Sequence, residues 1–188
     1  TCKIGGVVNN NSSGMCCGVA YHTYHTMRRL KVMLTDGTVL DSGDTRSRDD
    51  FRKKRPELLA ALHELHREVE ANPDLTALIR RKYKIKNTVG YSLNALLDFH
   101  DPIDTLVHLI VGSEGTLGFV SEVTYETIDE HPFKATDLVP FPDPHACARA
   151  IMRLSNGGVQ TTTGVTAAEY IERRALGTVE HLEPLAFL

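Results

Sequence analysis

Val111-Gly112-Ser113-Glu114-Gly115-Thr116-Leu117-Gly118-Phe119-Val120-Ser121-Glu122-Val123 sets three glycines three residues apart, with one carboxylate among them, directly ahead of an alternating run. Alternation of apolar and polar positions at period two reads as a strand, here expected over Phe119 to Ile128. Glycine has no Cβ and tolerates positive φ, so its backbone amides can approach a ligand closely. The segment therefore suits a tight turn or a loop that holds a flat, polar cofactor. Its Gly-x-x-Gly-x-x-Gly spacing matches neither the Rossmann pattern nor the Walker phosphate loop with its terminal lysine.

Upstream, Asp101-Pro102 is a helix start signal, and a helix from Pro102 to Ile110 would deliver the chain into the glycine turn. Before it, a short helix is expected from Asp74 to Tyr83. Pro56 suits a first helical turn, and Leu58, Leu59, Leu62, Leu65 and Val69 recur at helical spacing until Asn72-Pro73 stops them. His63 and His66 lie three apart on that helix, a spacing that can place two imidazoles on one metal. No third ligand is evident from the sequence and His-Glu-x-His is not a zinc motif, so no metal site is expected. Residues 44–55 interleave Arg46, Arg48, Arg52, Lys53, Lys54 and Arg55 with Asp44, Asp49 and Asp50, which reads as a solvated helix or loop. Met27 to Leu40 alternates around Thr35-Asp36-Gly37-Thr38 and reads as a β-hairpin.

The 188 residues, 41% of them hydrophobic, suffice for one folded domain and the beginning of another. Four prolines between His131 and Pro144 place the boundary there. Beyond it a strand around Ala135–Val139, a helix from about Pro144 to Leu154, a Gly157-Gly158 turn and further strand or helix to Leu188 are expected. A net charge of −3 argues against a nucleic-acid partner. No apolar run is long enough for a membrane span, and no signal-peptide pattern opens the chain. Cys2, Cys16, Cys17 and Cys147 are too few and too irregular for a disulfide framework or for iron–sulfur ligation. A cytoplasmic location is the default, with attachment to the cytoplasmic side of a membrane through an electron acceptor as its variant.

Gly112-Ser113-Glu114-Gly115-Thr116-Leu117-Gly118 followed by the Phe119-Val120-Ser121-Glu122-Val123-Thr124 strand resembles the signature of FAD-linked oxidases of the vanillyl-alcohol-oxidase type, which carry a PCMH-type FAD-binding domain. Ile4-Gly5-Gly6-Val7-Val8-Asn9-Asn10-Asn11-Ser12-Ser13-Gly14, with Gly18 after it, resembles that family's second flavin-contacting segment. Thr88-Val89-Gly90-Tyr91-Ser92-Leu93-Asn94-Ala95-Leu96 is similar to the block that precedes the glycine motif. The wording is closest to the D-lactate and D-2-hydroxyglutarate dehydrogenase branch, especially long bacterial proteins with an iron–sulfur region.

The resemblance implies an α+β fold: residues 1–130 as the second subdomain of the FAD-binding domain, a mixed or antiparallel sheet flanked by helices, and residues 131–188 as the start of a ferredoxin-like substrate domain. It implies FAD as cofactor, held by Gly5, Gly6, Asn11, Ser12, Ser13, Gly14 and Gly18 from one loop and by Glu114, Gly115, Gly118, Phe119 and Val120 from another. On spacing alone, Gly18 and Gly118 read instead as a turn and close packing. His22 and His25 are candidates to sit near the flavin or substrate, although core or surface histidines are the plainer reading. The implied reaction is hydride transfer from a D-2-hydroxy acid to the flavin; its catalytic residues belong to the substrate domain and none is assigned here. The electron acceptor is not indicated, and any iron–sulfur cluster lies outside this chain. The chain opens without Met and lacks the family's pyrophosphate loop, so it is expected to be a fragment of a larger enzyme, inactive alone. The rival reading is a cofactor-free structural half-domain. The flavin reductase of peptidoglycan precursor synthesis shares the wider fold, but the glycine block favours the oxidase and dehydrogenase branch.

Overall fold

The computed structural model describes residues 3–14, 17–127, 129, 132–156, 165 and 167–178. The chain divides into two units, Thr1–Glu130 and His131–Leu188. The first unit runs α1 (Ile4–Asn9), α2 (Thr23–Thr26), β1 (Met27–Met33), β2 (Val39–Asp41), α3 (Thr45–Lys54), α4 (Pro56–Glu70), α5 (Pro73–Lys82), α6 (Ala95–Asp98), α7 (Pro102–Ile110) and β3 (Phe119–Tyr125). This is a mixed helix and sheet unit, compatible with the α+β class.

The sheet is antiparallel with order β2-β1-β3. β1 and β2 form the expected hairpin, pairing Val32 with Leu40. In its turn Gly37 adopts φ +82, and Asp36 accepts from Thr38 N–H at 3.0 Å. β3 pairs with the other edge of β1, Leu30 opposite Val123, Lys31 opposite Glu122 and Val32 opposite Val120. Ser121 is the extra residue of a bulge there, and its Oγ donates to Lys31 O at 3.1 Å. The bulge leaves Ser121 and Glu122 both exposed, so the strict alternation expected of this strand breaks. β3 ends at Tyr125, and the expected continuation to Ile128 ends outside the described residues.

Helix starts follow local capping chemistry. Asp44 accepts from the N–H groups of Arg46 and Ser47, Asn72 from Leu75 N–H and Asp101 from Ile103 N–H. Each satisfies donors that the first turn leaves unpaired. Proline occupies the first turn of α4, α5 and α7. The charged segment forms α3, which buries Phe51. On α4 the buried stripe is Leu59, Leu62, His66 and Val69, while Leu65 is exposed. Leu65, one of the apolar positions that recur at helical spacing, thus lies off the buried face: 59, 62, 66 and 69 follow the 3-4-3 helical rhythm, and position 65 lies about 100° away from 66.

Leu30, Val32 and Leu40 from the sheet, Phe51 from α3, Leu59 and Leu62 from α4 and Ile103, Val107 and Ile110 from α7 form one core. Each such fully buried side chain contributes about 1.5–3 kcal/mol. Val69, Ile79 and Leu96 form a smaller cluster where α4, α5 and α6 meet.

In the second unit α8 spans Pro144–Asn156, as expected, and Asp143 caps it by accepting from Ala146 N–H at 2.9 Å. The strand expected at Ala135–Val139 is absent: these residues are exposed and take no strand pairing. Pro132 and Pro140 beside them lack N–H donors, and no partner strand stands among the described residues of this unit. The Gly157-Gly158 turn lies outside the described residues, as does most of the chain to Leu188; within that stretch α9 covers Arg173–Gly177. Among the described residues no helix is long and apolar enough to cross a membrane.

Candidate functional site

Three segments far apart in sequence meet at the turn between α7 and β3. The turn needs positive φ at Gly112 (+87), Glu114 (+53) and Gly115 (+78). At Gly112 a second constraint applies, because a Cβ there would stand 3.3 Å from Asn11 Cβ and 3.4 Å from Gly90 O. This glycine is thus where the segments around Asn11 and Gly90 close onto the turn.

Hydrogen bonds fix the meeting. At the end of α1 the Val8 carbonyl accepts from Asn11 N–H and also from Gly112 N–H, both at 3.0 Å, and the Asn9 carbonyl accepts from Glu114 N–H at 2.9 Å. Asn10 Nδ2 donates to Glu114 Oε1 at 3.0 Å. From the third segment, Ser92 Oγ donates to Val111 O at 2.9 Å, and the Tyr91 hydroxyl pairs with Thr116 Oγ1 at 2.9 Å.

The two loops expected to share a cofactor therefore stand side by side, but not every member faces outward. Gly5 and Gly6 lie in the first turn of α1, a short helix where a loop was expected. Asn11 is buried with φ +48, and its Oδ1 accepts from Tyr24 N–H at 3.0 Å and faces His22 Nδ1 at 3.2 Å. Its side-chain carbonyl is thus used inside the fold. Ser12 Oγ donates to Asn10 Oδ1 at 3.3 Å, and its carbonyl accepts from Thr23 Oγ1 at 2.8 Å. Ser13 is half-buried beside it, and Gly14 is exposed, its carbonyl accepting from Lys86 Nζ at 3.4 Å. Gly18 is an exposed turn residue at φ +52. Gly118 is buried: a Cβ would meet Val32 Cγ2 at 2.8 Å and Met33 O at 2.9 Å, so close packing demands it. Phe119 is 65% exposed at the strand start, and Val120 is buried beneath the sheet.

The outward rim consists of Asn10, Glu114, Gly115 and Thr116 with Tyr91, all exposed, beside Gly14. Open space stands where Cβ atoms would lie on Gly14, Gly18 and Gly115. A polar cofactor edge fits against such bare backbone, with the Glu114 carboxylate as an acceptor for a sugar-type hydroxyl. The FAD implied by the resemblance is compatible with this rim. Asn10, Tyr91, Ser92 and Gly112 were not among the residues expected to form the site. Their signal was present in the sequence, since each falls within one of the three motif blocks.

The buried Tyr24 and Asn94 converge on the exposed Asp98. Tyr24 hydroxyl donates to Asp98 Oδ2 at 2.8 Å, and Asn94 Nδ2 donates to the same oxygen at 2.8 Å. His108 stacks on Phe99 with centroids 3.9 Å apart, and its Nδ1 donates to Asp104 O at 2.7 Å. Burial raises the Tyr24 phenol well above its ordinary range, reinforced by the Asp98 charge. Burial lowers the imidazole of His22 to about 4, helped by the positive charges of His25 and Lys86. Burial also lowers His25 and His108. His22 is thus a neutral core histidine at physiological pH, bonded to Asn11 rather than pointing into the rim.

No protein-family model and no solved structure matches the chain. Over 87 residues, 46% of its length, the chain is 32% identical to the mitochondrial D-lactate dehydrogenase (cytochrome) of Kluyveromyces lactis. The match covers 13% of that protein, so the chain spans only a small part of the length of the curated relative. Nearly half of this chain is thus similar to a portion of a dehydrogenase.

Proposed function

We propose that this chain is part of an FAD-dependent oxidoreductase of the FAD-linked oxidase family that oxidises a D-2-hydroxy acid, D-lactate or D-2-hydroxyglutarate, by hydride transfer to the flavin. Residues 1–130 then belong to a PCMH-type FAD-binding domain and residues 131–188 open the substrate domain. The observation that carries this reading is the convergence on one turn of three separate motif blocks, supported by the partial similarity to a D-lactate dehydrogenase. Bound FAD would supply the hydride acceptor, while the protein supplies binding and orientation. Glu114, Gly115 and Gly14 with Ser12 and Ser13 form the polar edge of the half-site. Gly5, Gly6, Asn11, Gly18, Gly118, Phe119 and Val120 shape it through backbone, packing or strand position. The enzyme works in the cytoplasm on this reading, and its catalytic groups and electron acceptor lie beyond these residues.

FAD titration followed by flavin fluorescence tests the proposal. Saturable binding, weakened at least tenfold by Glu114→Ala, is the expected result; a tenfold loss corresponds to about 1.4 kcal/mol. Absence of saturable binding would favour a second reading, a cofactor-free structural half-domain. That reading draws on Asn11 and Gly118, whose motif positions are already used for internal hydrogen bonding and packing.

A further inference from the structure

Away from the glycine turn, His66 sits on the core-facing stripe of α4 with its side chain 9% exposed. Its Nδ1 lies 2.7 Å from Leu96 O. A carbonyl only accepts, so Nδ1 carries the proton and Nε2 is left to face outward. One helical turn on, Glu70 Oε2 lies 3.2 Å from that Nε2. From the connection between α6 and α7, the His100 ring stands edge-on to His66 with centroids 5.4 Å apart. One ligand atom from each of the three residues can be chosen so that all lie within 4.8 Å of one another. The side chains that join His66 are thus two, Glu70 and His100, and not His63, whose ring stacks 6.1 Å away on the same helix.

We propose that His66, Glu70 and His100 form a binding site for a divalent transition metal of the zinc class. Two imidazoles and a carboxylate are the hard and borderline donors such ions take, with remaining positions open to water. The backbone carbonyl on Nδ1 is the outer-sphere bond that orients a metal-ligating histidine and makes Nε2 the nitrogen available to a metal. Nε2 and the Glu70 carboxylate oxygen already face each other at 3.2 Å, a pair that a cation between them would bridge. Ligands at about 2.1 Å around a tetrahedral ion stand about 3.4 Å apart, so the outer pair must close inward. Glu70 and His100 are exposed and can swing, whereas His66 is held. The ion would tie α4 to the α6–α7 connection beside the Val69, Ile79 and Leu96 cluster.

The test is titration of chelator-treated protein with Zn²⁺ by calorimetry and thermal melting, and with Co²⁺ by absorption. Expected are one equivalent bound, a melting temperature raised by about 3 °C or more at saturation, and affinity lowered at least tenfold by Glu70→Gln and by His100→Ala. Both substitutions are on exposed side chains, so folding is not at stake, and His63→Ala serves as the control with affinity within twofold. Co²⁺ bound at this site shows no thiolate charge-transfer band. Unchanged affinity in both variants, a thiolate band that reports binding at the cysteines, or no saturable binding up to millimolar metal would each overturn the proposal. The last result would leave the trio as an ion pair beside a free imidazole.

Discussion

Asn10 and Glu114, 104 positions apart, are joined by a 3.0 Å hydrogen bond from the Asn10 amide to the Glu114 carboxylate. The backbone of Glu114 donates to the preceding residue, Asn9, at 2.9 Å. Side chain and main chain therefore lock the same two loops together, and they hold Glu114 at φ +53 on the rim.

Separating these roles calls for two substitutions at one position. Glu114→Gly relieves the positive φ and keeps the N–H, so it is expected to fold at least as stably as the parent while losing the carboxylate. Glu114→Ala loses the carboxylate and keeps the strain. If the carboxylate serves the cofactor, both weaken FAD binding alike in a fluorescence titration; a selective loss in Glu114→Ala would point to backbone geometry instead.

Gly118→Ala is expected to cost about 1–3 kcal/mol in urea denaturation. The added methyl would stand 2.8 Å from Val32 Cγ2 and 2.9 Å from Met33 O, a backbone atom at the end of the central strand. Gly14→Ala, with open space and no positive φ, is the matched control and should shift stability by less than about 0.5 kcal/mol.

Removing the Asn11 side chain strands a buried donor, Tyr24 N–H. Asn11→Gly, which tolerates φ +48, is expected to lose about 1–3 kcal/mol, and Asn11→Ala more because of added backbone strain. Equal losses in the two variants would show that the positive φ carries no cost here.

Acid sensitivity should trace to His22. Its folded pKa, lowered to about 4, lies below the ordinary value of 6.5. Between those values the unfolded chain binds the proton and the folded chain does not, so stability is full above about pH 6.5 and falls as pH drops toward 4. His25 and His108, also lowered, add in the same direction. His22→Gln should flatten part of the stability slope across this window, and an unchanged slope would assign the effect elsewhere.

Much of the scaffold was readable in the amino-acid order because its causes are local. The Asp36-Gly37 turn selects the hairpin, first-turn prolines start α4, α5 and α7, and Asp101 caps the helix that feeds the glycine turn. Such signals act over a few residues, through fixed φ, hydrogen bonds to the nearest free N–H groups and the period of apolar positions. The second unit shows the limit of this logic. A strand was expected at Ala135–Val139, yet a strand exists only where a partner supplies the ladder.

Long-range closure decided the rest. The bulge at Ser121 follows from pairing β3 to β1, and the burial of His66 in place of Leu65 from the direction in which α4 meets its neighbours. Asn11 looked like a ligand-facing polar residue, but its amide turned inward because Tyr24 N–H needed an acceptor. Gly112 is a turn glycine in the sequence and becomes the contact point of three segments only when Asn11 and Gly90 close on it. Composition and spacing prescribe periods, caps and turns; which polar atoms remain free for a ligand is settled only after buried donors and acceptors have found their partners in the folded chain.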